Sequence, residues 1–460
     1  LSTDLTRRQA LLAPVACALA SAAATATTRL AIARGRILLG GQLSMRVPWP
    51  VATVDPHRQD DPCALLFGGA LFDSLFTLDE RGGVVPSLAE SLPEACPDGS
   101  RVVLREGLHF ASGKPVSTRD VVASIARSRA KGARGWLDAA GVVRATKSGP
   151  ASTLVFTSRF PDRLAHALAS PLTAIVPETF TPERPDGTGP FAVQRTDPPS
   201  GTLVLDRNRF AANGPAFLDR ATIAPAADLA ASLRAFESGE DDLGWLGLGL
   251  HEPRRGAVPF DAGVLGWAIL CTGDLARGWG LPGVAQRLAD GIDPGRLAHL
   301  GVQADWAVDP SEGWGAQAAA LLVRDDSPWL LELARAVAAA LSRDGHEIAT
   351  RPVPAAELAA ARESRAYALA LDLVRPYDPT PLGTSVALAA ADDPARAVDL
   401  ARHPPRGAAP SPRAACRLLR IGVVAPVRFA GGHMPDLPLP TSPMGGVDLG
   451  AISRPRSRVG

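Results

Sequence analysis

Five cysteines and eight histidines are the residues of this 460-residue chain whose reactivity could define an activity. A structural zinc ion draws its four ligands from closely spaced Cys and His pairs. The cysteines stand at Cys17, Cys63, Cys96, Cys271 and Cys416, with no CxxC among them. His57, His109 and His346 have no second histidine one helical turn away, so no metal site is expected. The thiols are expected as isolated buried groups, with a Cys63–Cys96 disulfide as the alternative in an oxidising compartment. Nucleotide and acyl chemistry are equally unsupported. There is no P-loop, GxSxG or GxGxxG, and the glycine-rich GWLGLGL at 244–250 lacks the helix and acidic residue of a dinucleotide fingerprint. With no nucleophile set beside a base, neither catalysis nor a cofactor is expected.

The bulk numbers narrow the class further. A hydrophobic content of 46% with 21% charged residues belongs to a soluble, folded chain, long enough for two or three domains. A net charge of +1 gives no reason to expect nucleic acid or an anionic membrane as the main partner. The N-terminal TRRQALLAPVACALASAAATATT combines a twin arginine (Arg7, Arg8), a short apolar run and small residues ending in Ala-x-Ala. That pattern predicts an export signal over 1–26, of Tat or Sec type, with an ordinary amphipathic helix as the alternative. Cys17 matches a lipid-anchor site only weakly. No later segment reaches the roughly 18 uninterrupted apolar residues of a membrane span. The mature chain is therefore expected to be soluble and extracytoplasmic.

Periodicity then places the elements. A strand is expected around Gln42, a helix within LLFGGALFDSLF, and a turn at Arg81–Gly83 before an extended Val-Val-Pro. RVVLREGLHF reads as a strand pair broken at Glu106-Gly107. Ser117 with Asp120 three residues on is a capping-box start for a helix whose apolar face is Val121, Val122 and Ile125. Strands follow at 152–156, from Phe191 and in TLVLDRNRF, with a helix around 164–172. Leu229, Leu233 and Phe236 mark a helix stopped by Gly239, then a strand into Trp245. In the second half, GVAQRLADGIDPGRLAHLG is a helix broken at Asp293-Pro294. AALLVRDD is a strand, Leu330, Leu333, Val337 and Leu341 line a long helix, and HEIATRPV, YALALDLV and RIGVVAPVRF are strands. This alternation predicts a mixed α/β fold.

The ordered motifs resemble one family. VATVDPH, LFDSLFTLDERGGVVPSLAESL, LREGLHFASGKPVSTRDVVASI, GTGPFAVQR, LVLDRNRFAANGPAFLDRATI, LRAFESGEDDLGWL, GVAQRLADGIDPGRL and LLVRDDSPWLLELARAVAAALSRDGHEI span roughly residues 40 to 395. Together they look like the family 5 extracytoplasmic solute-binding proteins of ABC transporters, the peptide/nickel group. The resemblance implies a periplasmic-binding-protein-like α/β fold with two lobes, a hinge and an extra scaffold subdomain. Lobe I would combine 40–64, 186–258 and 400–450; 65–185 would be the scaffold, 260–395 lobe II and 451–460 a tail. It implies a monomer that encloses a peptide or small solute and passes it to an ABC permease and ATPase, without covalent chemistry.

The resemblance also nominates ligand-facing residues. Trp49 ends the first strand in a loop that often faces the cleft in this family, and Trp245 and Trp267 flank the expected lobe crossover. Peptide-binding members carry Gly-Trp and then an acidic residue where this chain has LALDLVRPYDPTPLG. The Trp is absent, Val374-Arg375 stand near its place, and Asp378 can be matched to the family's Asp-Pro. An arginine there suits a carboxylate or phosphate, or is a solvated loop residue; Trp245 and Trp267 stack on a ligand or pack in the core. The shortened second half and the two tyrosines admit another reading, a non-transporting sensor or interaction protein with a degenerate cleft.

Overall fold

The computed structural model describes residues 39–48, 51, 53–145, 152–197, 200–245, 257–302, 308–309, 313–405, 407, 409–434, 437 and 439–453. The expected signal at 1–26, with Cys17, lies outside the described residues, as does Trp49. Among the described residues the strands are β1 (Gln42–Val47), β2 (Phe76–Leu78), β3 (Val84–Pro86), β4 (Glu94–Cys96), β5 (Gly99–Val103), β6 (Val143–Ala145), β7 (Thr153–Phe156) and β8 (Phe191–Asp197). They continue as β9 (Thr202–Arg207), β10 (Arg220–Pro225), β11 (Leu243–Trp245), β12 (Val258–Thr272), β13 (Ala319–Arg324), β14 (Ile348–Val353), β15 (Leu369–Val374) and β16 (Ile421–His433).

Ten of them form one sheet in the order β14-β13-β15-β12-β16-β11-β1-β10-β9-β8. Its two halves have the same logic. On one side β13 runs parallel to β14 and β15; on the other, β1 runs parallel to β10 and β11. The long antiparallel pair β12 and β16 joins them. β16 reaches β11 through its last residues, Gly431 to His433, while β12 reaches β15 from Trp267 onward. Register shifts between Asp261 and Val264, Val264 and Gly266, and Ala268 and Ile269 interrupt the pair. Such bulges add twist, so the sheet curls where the halves meet.

Alternation along these central strands explains their sequence. Ala268 and Leu270 sit in one apolar core while Ile269 and Cys271 sit in the other. Successive side chains of a strand point to opposite faces, so a strand covered on both sides is apolar throughout. The continuous runs of YALALDLV and RIGVVAPV are that signature. A separate four-stranded sheet, β4-β5-β7-β6, packs with the Thr118–Ser128 helix in the second core. That helix begins on the expected capping box: Ser117 and Asp120 exchange backbone-to-side-chain bonds, and Val121 and Ile125 are buried.

Several local expectations change. The helix within LLFGGALFDSLF is only Pro62–Phe67, because Gly68-Gly69 favours a short 3-10 turn, and Phe76–Leu78 becomes a strand paired with β3. The second limb of RVVLREGLHF is reduced to a single bridge between His109 and Pro115. The helix placed at 164–172 is Pro161–Ala167, with proline in its first turn, followed by a 3-10 turn at Pro171–Thr173. The strand β12 and the helix Pro381–Asp392 were not expected. Among the described residues Cys63, Cys96, Cys271 and Cys416 form no disulfide with one another, and Cys96 is only half-buried.

Candidate functional site

The loop Val54–Asp61 leads from β1 into the Pro62–Phe67 helix and is bonded by residues of the β13–β15 half of the sheet. This loop is fixed from the side of the four-stranded sheet. Arg127, near the end of the Thr118–Ser128 helix, donates to both carboxylate oxygens of Asp55 at 2.6 and 2.7 Å. It also donates to His57 Nδ1 at 2.8 Å, while His57 Nε2 donates to the Ala174 carbonyl at 2.7 Å. Those partners assign the neutral Nε2–H tautomer. Burial pushes the His57 ring down to about 4, although the Ala174 bond acts the other way. The VDPH motif is thus a buried clamp. Asp61 caps the next helix, accepting from Cys63 N and Ala64 N, and its second oxygen accepts from Asp55 N at 3.0 Å.

The β13–β15 half meets this loop with two arginines. Arg324, the last residue of β13, donates to the Asp60 carbonyl and carboxylate at 3.0 Å each and also grips Asp326. Arg58 binds Asp60 from the loop itself at 2.6 and 2.9 Å. Arg375 follows the last residue of β15. Its backbone N–H donates to the Gln59 carbonyl at 3.0 Å, and Nη2 donates to the Pro56 carbonyl. The side chain is 2% exposed, and its Nε and Nη1 have no hydrogen-bond partner. Burial lowers the guanidinium to about 10, against the opposing pull of Asp61, Asp55 and Asp60, so it stays charged at neutral pH.

Trp267 stands where β12 passes from one half to the other, opposite Val374 on β15 and Pro426 on β16. It is half-buried, and its indole N–H is buried with no partner. Trp267 and Arg375 line one narrow cavity with Gln59, Asp60, Asp61 and Leu65. Its volume is about 10 Å³, room for roughly one water. The structure therefore brings these two nominated residues together. Trp245 is placed elsewhere, buried in the sheet opposite Gly431. Asp378 turns away toward the four-stranded sheet, accepting from His166 Nε2 at 2.7 Å and from Thr380 N at 2.8 Å. Beside it, Trp136 stacks on Tyr377 with ring centres 5.4 Å apart.

Arg324, Asp60 and Gln59 were not singled out from sequence. A usable signal existed. In open α/β sheets ligands gather outside the carboxyl ends of parallel strands, and both Arg324 and Arg375 stand at such ends. Among the described residues no cluster of His, Cys, Asp and Glu has metal-binding geometry, and no helix is long and apolar enough to cross a membrane.

Comparison with known proteins gives this arrangement a context. Residues 83–249 match the family model described as bacterial extracellular solute-binding proteins, family 5 middle. An uncharacterized protein of Bacillus subtilis strain 168, YhjP, is 31% identical over 169 residues, which is 35% of this chain and 29% of that relative. The aligned stretch therefore spans less than a third of the curated relative's length. Among solved structures, AgaA of A. tumefaciens R10, bound to agropinic acid, superposes with a TM-score of 0.68 at 16% identity, covering 91% of this chain and 99% of that one. The oligopeptide-binding protein AppA of Bacillus subtilis, bound to a nonapeptide, gives 0.64 at 13% identity, covering 92% and 100%. At such identities the likeness is one of fold, a large curled sheet with flanking helices. Residues 83–249 thus match the model of the family 5 extracellular solute-binding proteins, and the fold of solved solute-binding proteins is shared across nearly the whole chain.

Proposed function

We propose that the protein is the solute receptor of an ABC importer, exported by its N-terminal signal, enclosing a peptide or related small solute and delivering it to a membrane permease and ATPase. The observation that carries this is the seam. Two half-sheets linked through β12 and β16 place Arg324, Arg375 and Trp267 against the loop that holds Gln59 to Asp61. In this proposal 40–64, 186–258 and 400–450 act as one lobe, 260–395 as the other and 65–185 as a scaffold, and the lobes part and close about the long strand pair. Closure supplies contacts that a permease reads as the loaded state. AgaA and AppA, which hold an acid and a nonapeptide, support a solute of modest to peptide size. Trp267 and Arg375 face the solute, whereas Trp245 and Asp378 act through packing and hydrogen bonding.

A second reading rests on a specific observation. The seam leaves only about 10 Å³, closed by the chain's own arginines. A relative that keeps the fold as a sensor or interaction protein, with a degenerate cleft, has that property. A thermal-shift screen of the mature chain against di- and oligopeptides, nickel chelates, sugars and organic anions separates the two. A solute present at 100 times its Kd adds about 2.7 kcal/mol to the folded state. The receptor reading expects such a hit, and loss of uptake of that solute when the gene is deleted. A flat panel supports the degenerate cleft.

A further inference from the structure

The seam's unmet hydrogen bonds all have one sign. Arg375 Nε, Arg375 Nη1 and Trp267 Nε1 are buried donors without acceptors, and all belong to residues lining the same cavity. Among the described residues Arg375 is the one side chain with two orphaned nitrogens. The acids around it are already engaged: Asp55 by Arg127, Asp60 by Arg58 and Arg324, and Asp61 by three backbone N–H groups. The one acceptor that reaches Arg375's side chain is a neutral carbonyl, that of Pro56. A buried cation so placed needs both acceptors and negative charge.

We infer that the solute taken between the two halves is a small organic anion, its carboxylate received by the Arg375 guanidinium and the Trp267 indole N–H. This rests on the receptor reading and narrows it to one chemistry. A carboxylate brings two oxygens with about four lone pairs, and an ionised acceptor makes the stronger class of hydrogen bond with a guanidinium. An ammonium ion brings further donors and a repelled charge. A neutral amide of the same shape supplies an acceptor without the charge. The Trp267 ring adds a flat apolar wall beside the charge, and room for the rest of the solute comes from parting the two halves. Entry requires the Arg324–Asp60 contact to part, which couples binding to the separation of the halves.

Thermal shift and calorimetry on the mature full chain, at constant ionic strength set with sodium chloride, test this with acetate, succinate and inorganic phosphate. Acetamide, succinamide and ethylamine serve as matched neutral and cationic probes. The expected result is stabilisation by acetate or succinate, with the amides and amine at least tenfold weaker. Arg375→Met should abolish the carboxylate response while leaving the chain folded, because it removes a buried charge rather than stranding one. Arg375→Lys, which keeps charge but loses the planar fork, should recover part of it. Trp267→Phe, which keeps an aromatic ring and removes only the N–H, should weaken binding several-fold and carries the test if Arg375→Met does not fold. Equal response to amides or amines, or an undiminished response in Trp267→Phe and Arg375→Met, overturns the inference. So does a response to phosphate alone. A neutral or cationic hit from the wider panel would sink the anion and leave the receptor reading standing, whereas silence from every solute sinks both.

Discussion

Two hollows lie on either side of the Pro62–Phe67 helix, and they differ in the property that matters for recognition. One is the seam between the half-sheets, about 10 Å³. The other is a cavity of about 500 Å³ between that helix, the β2 region and the C-terminal Ser442–Ala451 segment, with Leu65 lining both. By size alone the larger cavity is the better binding site. The polar side chains that line it are, however, engaged with one another, although Arg105 Nε behind them is a buried donor without a partner. Asp73 accepts from Thr188 at 2.7 Å and from Asn213 at 2.9 Å; Asn213 also donates to Ser87 and accepts from Arg105; Ser74 donates to the Ser170 carbonyl. The seam has almost no volume but three orphaned donors and a buried cation. Buried polar groups are normally satisfied, so an unsatisfied set marks a place built for a partner more reliably than an apolar hollow does. Volume can be made by moving two halves apart; unpaired charge cannot be removed that way.

The contrast can be attacked at the loop that borders both hollows, Pro56 lining the larger and Gln59 to Asp61 the smaller. Asp55→Ala strands Arg127 and frees the loop that carries Pro56 and Gln59. Removing one partner of a buried pair typically costs about 3 to 5 kcal/mol, and urea denaturation should show a loss of that order together with a loss of solute binding. A cost under about 1 kcal/mol would mean the loop is held by other contacts. Next in size is the acid limb contributed by His57. Its folded value, about 4, lies below the unfolded one, so between pH 6.5 and 4 the unfolded chain binds the extra proton. Stability should therefore be present above pH 6.5 and fall as pH drops through that window, by on the order of 3 kcal/mol. His57→Gln should flatten that limb in a pH series of unfolding curves; an unchanged slope would point to other groups.

His166 runs the opposite way and is weaker. Its hydrogen bond to Asp378 raises its value, so its contribution is fully present below pH 6.5 and is lost as pH rises through the folded value. About a third of the side chain is exposed, and solvent screening holds the effect well under 1 kcal/mol. His166→Ala should remove that alkaline decline and leave solute binding intact, since Asp378 turns away from the seam; a loss of binding would bring Asp378 back as a ligand contact. Smallest of all is Gly69→Ala on the rim of the large cavity. An added methyl there meets nothing within 4 Å, and the backbone is compatible. A gain of about 0.5 kcal/mol is expected from the stiffer unfolded chain, with unchanged solute affinity. Weakened affinity would show that the cavity takes part in binding.

Local chemistry determined much of this molecule without help from the fold. The Ser117–Asp120 cap, the Gly239 stop, the break at Asp293-Pro294 and the apolar runs of the central strands are where the residues alone place them, because each depends on neighbours within a few positions. The ordered motifs likewise carry the resemblance to the family 5 solute-binding proteins in loops and turns, and residues 83–249 match that family's model. What only the tertiary structure decided is which of the nominated residues meet. Trp245, Trp267, Arg375 and Asp378 carry equal promise in the linear chain. Yet β12 brings Trp267 beside β15 and Arg375, the pairing with β16 buries Trp245, and the turn after Pro376 hands Asp378 to His166. Arg375 and Gln59 are 316 positions apart in the chain and one hydrogen bond apart in space. No periodicity encodes a contact of that separation, because it depends on strand pairing and loop closure across the whole molecule rather than on the residues beside it.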